Sequence, residues 1–248
     1  IKEVMKMYCR ALTAINVEIS PPPDDNNQTK GWVALEKGVT EEAVVYLPLS
    51  STLFNSKEDN FDWYKVVTTH QVAHLEFESF LFSFETPAVM FPNLRPKLLT
   101  QLDVKEHALV EVQEIGVAVR SHKQGANGGD ETQEKELSDI QRFFNLFENG
   151  RLARDIFTAV EDCRLDHRVQ IEYMGIRKAY QNVQRQALEE RPSIQEMHSM
   201  EAMVELLIRF SLQRGRELMV PDRYIDWAKA MWEIVSPLSR PQAIVQDS

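Results

Sequence analysis

The stretch Thr68-Thr69-His70-Gln71-Val72-Ala73-His74-Leu75-Glu76-Phe77 decides how this chain is read. Residues four apart share one face of a helix, so His70 and His74 can turn their imidazoles toward one point. Val66, Val67, Phe77 and Leu81 are their neighbours on that face, which therefore turns inward. Two imidazoles in an apolar setting suit a zinc ion if a third ligand arrives from elsewhere. His-x-x-x-His is also the spacing of zinc peptidases, in which a glutamate after the first histidine takes a proton from the metal-bound water. Gln71 stands at that place, and an amide cannot act as the base at neutral pH. Glu76 lies about 200° around the helix from His74, at about 100° per residue, and is a poor substitute. The competing reading makes both histidines packed core residues with hydrogen-bond partners.

A second segment, Glu161-Asp162-Cys163-Arg164-Leu165-Asp166-His167-Arg168, carries the acidic candidates. Asp155, Asp162 and Asp166 fall on one helical face, and Glu161, Arg164 and Leu165 on another. A glutamate on a second helix is the usual third ligand in one large class of zinc peptidases, so Glu161 is the candidate metal ligand here. Asp162 or Asp166 can orient a ligating histidine from behind. Against this, Glu161 with Arg164, and the aspartates with nearby arginines, can simply form ion pairs on a solvated helix.

Outward from these segments the periodicity is largely helical. Val4, Met7, Tyr8, Ala11, Leu12 and Ile15 predict a helix over Lys2–Ile15, ended by Pro21, Pro22 and Pro23. Trp32–Leu35 and Val44–Leu47 are short β-like runs around Gly38 and predict a small hairpin. Asp59 or Asn60 can cap a helix from Phe61 to about Phe82. Thr86–Pro96 is a loop with three prolines, and Lys97–Arg120 is helical. The glycine-rich stretch 121–133 is a mobile loop. Helices follow at Glu134–Phe147, at Leu152 to about Glu190 with a bend at Gly175, at Met197–Leu218 and at Asp222–Val235, where Pro221 suits the start. The expectation is a mainly α fold, one multi-helix domain over residues 1–248 with a small β-hairpin and a zincin-like helix arrangement.

The 248 residues carry a formal net charge of -10, which argues against general affinity for DNA or RNA. No apolar run approaches the roughly 18–20 residues needed to span a bilayer. Cys9 and Cys163 are too far apart in sequence to make a local metal-ligand pair and are read as reduced thiols of a cytoplasmic protein. A chain that opens on Ile1 is read as a piece of a longer protein.

Taken together, Thr69-His70-Gln71-x-x-His74-x-Glu76-Phe77-x-x-Phe80 and Leu152-Ala153-Arg154-Asp155-x-Phe157-Thr158-x-x-Glu161-Asp162-x-Arg164-x-Asp166 resemble the NorD/CbbO family. Its members are the nitric-oxide-reductase activation protein D and the Rubisco-activase subunit CbbO. Glu172-Tyr173-x-Gly175-Ile176-Arg177 and Glu189-x-Arg191-Pro192 add to the likeness, which spans about Trp32–Leu212 and is weak between Phe91 and Asn149. The resemblance implies that Gln71 is a native feature. It implies an adaptor that works with a hexameric MoxR-type AAA+ ATPase to remodel, or load a metal into, a target enzyme, a chaperone-like task. Family members carry a von Willebrand factor A domain near the C-terminus. No Asp-x-Ser-x-Ser adhesion motif occurs here, so this chain corresponds to the region preceding that domain.

The resemblance also favours a shared site at His70, His74 and Glu161 that holds zinc, with Gln71, Asp162, Arg164 and Asp166 around it. The expected function is a non-enzymatic adaptor or target-recognition region. The alternative is a metallopeptidase-like zinc hydrolase made inactive by Gln71, and a plain helical scaffold is the third reading.

Overall fold

The computed structural model describes residues 1–22, 43–102, 137–213 and 219–248. The fold is mainly helical with one small sheet. Its elements run α1 (Lys2–Thr13), β1 (Val17–Ser20), β2 (Ala43–Tyr46), α2 (Lys57–Glu76), α3 (described over 95–102), α4 (Asp139–Phe144), α5 (Gly150–Glu172), α6 (Arg177–Glu189), α7 (Ser199–Leu212) and α8 (Ile225–Val235).

The described sheet is parallel and brings in a strand, β1, that the sequence reading did not foresee. β2 pairs with β1 in parallel, Val17 opposite Ala43 and Ser20 opposite Tyr46. In β1, Val17 and Ile19 face inward and Glu18 outward, a period-2 pattern too short to stand out in sequence. Trp32–Leu35 lies outside the described residues, as do the 121–133 loop and most of Lys97–Arg120.

Helix α1 ends at Thr13, where Ala14 turns left-handed (φ 58°) and its N–H reaches the Arg10 carbonyl. It buries Met5 and Cys9; of the predicted stripe, Tyr8 and Leu12 are partly buried against the cores, while Val4 and Met7 are exposed. Helix α2 starts four residues earlier than predicted. Ser56 is its cap, accepting from the Asp59 N–H, while Asn60 ties down the preceding loop through Phe54 and Ser51. The helix stops at Glu76, and a 3-10 turn covers Ser79–Leu81, leaving Leu81 exposed rather than on the histidine face. The predicted Leu152–Glu190 helix is two helices, α5 and α6, broken by a 3-10 turn over Met174–Ile176 that contains Gly175. α7 ends at Leu212, and Asp222–Tyr224 forms a 3-10 turn before α8.

Helix α2 is the centre of the fold. One side packs Tyr64, Val67 and Val72 against Met5, Cys9, Val17, Ile19, Val45 and Leu47. The other packs Val66 and Ala73 against Leu165 and Val169 of α5, Ile176 of the 3-10 turn that follows it, and Ala179, Tyr180 and Val183 of α6. A helix flanked by two cores is buried nearly all round, which is why its sequence has no clean polar face. A third core joins α5, α7 and α8 through Val160, Leu206, Phe210, Ala228 and Val235. No helix among the described residues is long and apolar enough to cross a membrane.

Candidate metal centre

The buried length of α2 carries Thr68, Thr69, His70 and His74 inward, with His70 4% and His74 1% exposed. Helix α5 crosses it and brings two aspartates one turn apart, Asp162 and Asp166, against the two histidines one turn apart. Asp162 Oδ1 lies 3.5 Å from His70 Nε2 and 3.6 Å from His74 Nε2. One ligand atom from each of His70, His74 and Asp162 lies within 4.8 Å of the other two.

These spacings are long for hydrogen bonds but suit a shared ion. Ligand atoms about 2.0–2.1 Å from a tetrahedral zinc stand about 3.3 Å apart, whereas octahedral neighbours at the same bond length stand about 2.9 Å apart. Both nitrogens of His74 and Oδ1 of Asp162 are buried and lack a hydrogen-bond partner. Buried polar atoms without partners are uncommon, because each forfeits its hydration with nothing in return. The donor set, two imidazoles and one carboxylate, is the chemistry of a zinc-type ion.

Behind the donors lies a hydrogen-bonded polar layer. Asp166 Oδ1 lies 2.8 Å from His70 Nδ1 and accepts from the Tyr180 hydroxyl at 2.6 Å. Asp166 Oδ2 accepts from Gln184 Nε2 and from Ser211 Oγ, each at 2.8 Å. Gln170 in turn donates to Gln184 Oε1 at 3.2 Å. Burial alone pushes the His70 imidazole toward the neutral form. The charges and contacts of Asp166 and Asp162 outweigh burial and raise its pKa to about 10. Burial pushes the Asp162 carboxyl up, but His70 and His74 together hold it far below the usual carboxylate range.

Glu161, the predicted third ligand, is elsewhere. It is buried on the adjacent face of α5 in a two-pronged ion pair with Arg164, whose Nε donates to Oε2 at 2.7 Å and Nη2 to Oε1 at 2.6 Å. Ser79 and Ser248 hydroxyls complete its hydrogen bonds. Burial raises the Glu161 carboxyl, but Arg164, Ser79 and Ser248 outweigh it and hold it below its ordinary value. Arg164 also donates to the carbonyls of Phe77 at 2.9 Å and Ala243 at 3.4 Å. Asp162 therefore takes the place at the histidines that the sequence reading gave to Glu161, and Asp166 stands where a histidine-orienting carboxylate was expected. Tyr180, Gln184 and Ser211 were not foreseen. The one signal for Asp162 was the matching four-residue step, His70/His74 against Asp162/Asp166, which lets two crossing helices meet turn for turn.

Gln71 points away from the histidines. Its Oε1 accepts from the Tyr46 N–H and its Nε2 donates to the Tyr46 carbonyl, both at 2.8 Å. No protein-family model, no curated protein and no solved structure matches the chain.

Proposed function

We propose that this chain is a metal-holding helical domain without hydrolytic activity, in which His70, His74 and Asp162 bind one zinc-type divalent ion. The observation that carries this reading is the single Asp162 oxygen set 3.5 and 3.6 Å from two buried imidazole nitrogens. An ion there neutralises Asp162 and ties α2 to α5 across a long stretch of sequence. It supplies charge and a fixed geometry to the helix pair.

Two residues that a hydrolase reading would call on are engaged elsewhere. The Gln71 amide is bound to Tyr46, and the Glu161 carboxylate to Arg164. In the wider role we propose, the domain is an adaptor or target-recognition region of a MoxR-type AAA+ ATPase system that activates a target enzyme. The likeness of the two site segments to the NorD/CbbO family supports that role.

Metal analysis of protein purified without chelators, then reconstituted with zinc, tests the site. We expect about one equivalent of zinc in the wild type and none retained in His74→Ala or Asp162→Ala, with peptide-cleavage assays blank throughout. A folded wild type that takes up no zinc overturns the metal reading. Capture of neither ATPase nor target by the zinc-loaded protein, with an A domain attached, overturns the adaptor role alone.

A further inference from the structure

The Asp166 carboxylate has four lone-pair directions and receives four contacts, from His70, Tyr180, Gln184 and Ser211. These come from three helices besides its own: α2, α6 and α7. An ionised carboxylate only accepts, so the His70 nitrogen facing it must carry a proton. That leaves Nε2, on the opposite side of the ring, as the nitrogen able to bind a metal.

The partners on Asp166 decide whether this arrangement is held or loose. With only His70 on it, the carboxylate could swing about its χ angles and present either oxygen. With Tyr180 on Oδ1 and Gln184 and Ser211 on Oδ2, one place remains, beside Oδ1, and His70 Nδ1 occupies it. The Tyr180 oxygen also lies 3.0 Å from His70 Nδ1, on the same side of the ring. Gln184 is itself oriented, because Gln170 donates to its Oε1 and its Nε2 also reaches the Ser211 carbonyl at 3.3 Å.

We propose that Tyr180, Gln184 and Ser211 are positioning residues of the metal centre, which act through Asp166 to fix the His70 ring with Nε2 toward Asp162 and His74. The inference rests on the metal reading above. Outer groups that orient a metal-bound histidine are worth about 10–100-fold in affinity. Removing one of three anchors belongs at the low end of that range, and removing Asp166 at the high end.

The test is a cobalt(II) titration of the full chain, followed through the visible bands of tetrahedral cobalt, with circular dichroism and melting temperature measured on the metal-free proteins. Tyr180→Phe removes one hydroxyl and keeps the ring in its core. Ser211→Ala removes the other, and Ser211→Thr retains it. We expect Tyr180→Phe and Ser211→Ala each to raise the cobalt Kd about tenfold, Ser211→Thr to hold it near wild type, and Asp166→Asn to raise it toward a hundredfold. A merely structural role would lower melting temperatures and leave the Kd, measured well below melting, unchanged; that result overturns the inference while the metal site stands. Wild-type protein that binds no cobalt overturns the metal reading and this inference with it.

Discussion

The guanidinium of Arg164 donates to the carbonyl of Phe77 at 2.9 Å, at the C-terminal end of the helix that bears both histidines. A cation there meets the negative end of the α2 dipole and one of its orphan carbonyls. The same side chain neutralises buried Glu161, so one arginine fixes where α2 ends relative to α5.

Removing it should be costly. Arg164→Met leaves Glu161 buried and unpaired, and we expect a loss of about 3–5 kcal/mol in denaturant unfolding. Arg164→Met combined with Glu161→Gln should recover part of that loss. The pH dependence has a definite sign. Glu161 is held below its ordinary value in the folded state, so its contribution is whole above about pH 4.3, the usual glutamate value, and is lost as pH falls below it. A wild-type stability that rises on acidification through this window would contradict the assignment.

Zinc should raise the melting temperature. At a hundredfold excess over Kd, ligand binding stabilises by about 2.7 kcal/mol, which for a chain of this size corresponds to roughly 5–10 °C. His74→Ala and Asp162→Ala should abolish the shift, measured by calorimetry with and without zinc. An equal shift in wild type and both variants would place the ion elsewhere.

Gln71→Glu should not create a peptidase. A carboxylate can accept from the Tyr46 N–H but cannot donate to its carbonyl. We expect a loss of about 1–3 kcal/mol from the partner left unmet, read by urea unfolding, and no cleavage of peptide substrates with zinc present. Measurable turnover in this variant would show that position 71 faces the metal after all.

Cys9 should be inert in the folded protein. Its side chain is wholly buried, and burial pushes the thiol up to about 11. The reactive thiolate is therefore scarce at pH 8, and the sulfur is inaccessible as well. Iodoacetamide at that pH should leave Cys9 unmodified until denaturant is added, as peptide mass mapping would report. Rapid native labelling at Cys9 would mean that α1 detaches from the sheet.

Much of the fold is legible because strong local signals match it, the four-residue histidine step and Pro221 before the last helix among them; Pro21–Pro23, expected to end α1, instead follow β1, and α1 ends at Thr13. Three features are not legible. The α1 face is not legible because Met5 and Cys9 are the ones that meet the sheet, while the equally apolar Val4 and Met7 face out. Strand β1 depends on a partner more than twenty residues away, which periodicity cannot see. At the site, Glu161 and Asp162 are neighbours about 100° apart on one helix, and the choice between them turns on the crossing of α5 over α2. Tyr180, Gln184 and Ser211 have no shared spacing at all; they converge only because α6 and α7 fold back beside α5.

The Gln71 contact also closes something on the other side of α2. Leu47 N–H points to Ser20 in β1, so by alternation the N–H and carbonyl of Tyr46 point out of the sheet on the far side. A two-stranded sheet with such groups exposed is a template for an extra strand. The primary amide at position 71 is shaped like a peptide unit and fills that vacancy as a third strand one residue long. The amide that cannot serve as a base is, as donor and acceptor together, matched to both backbone groups of Tyr46.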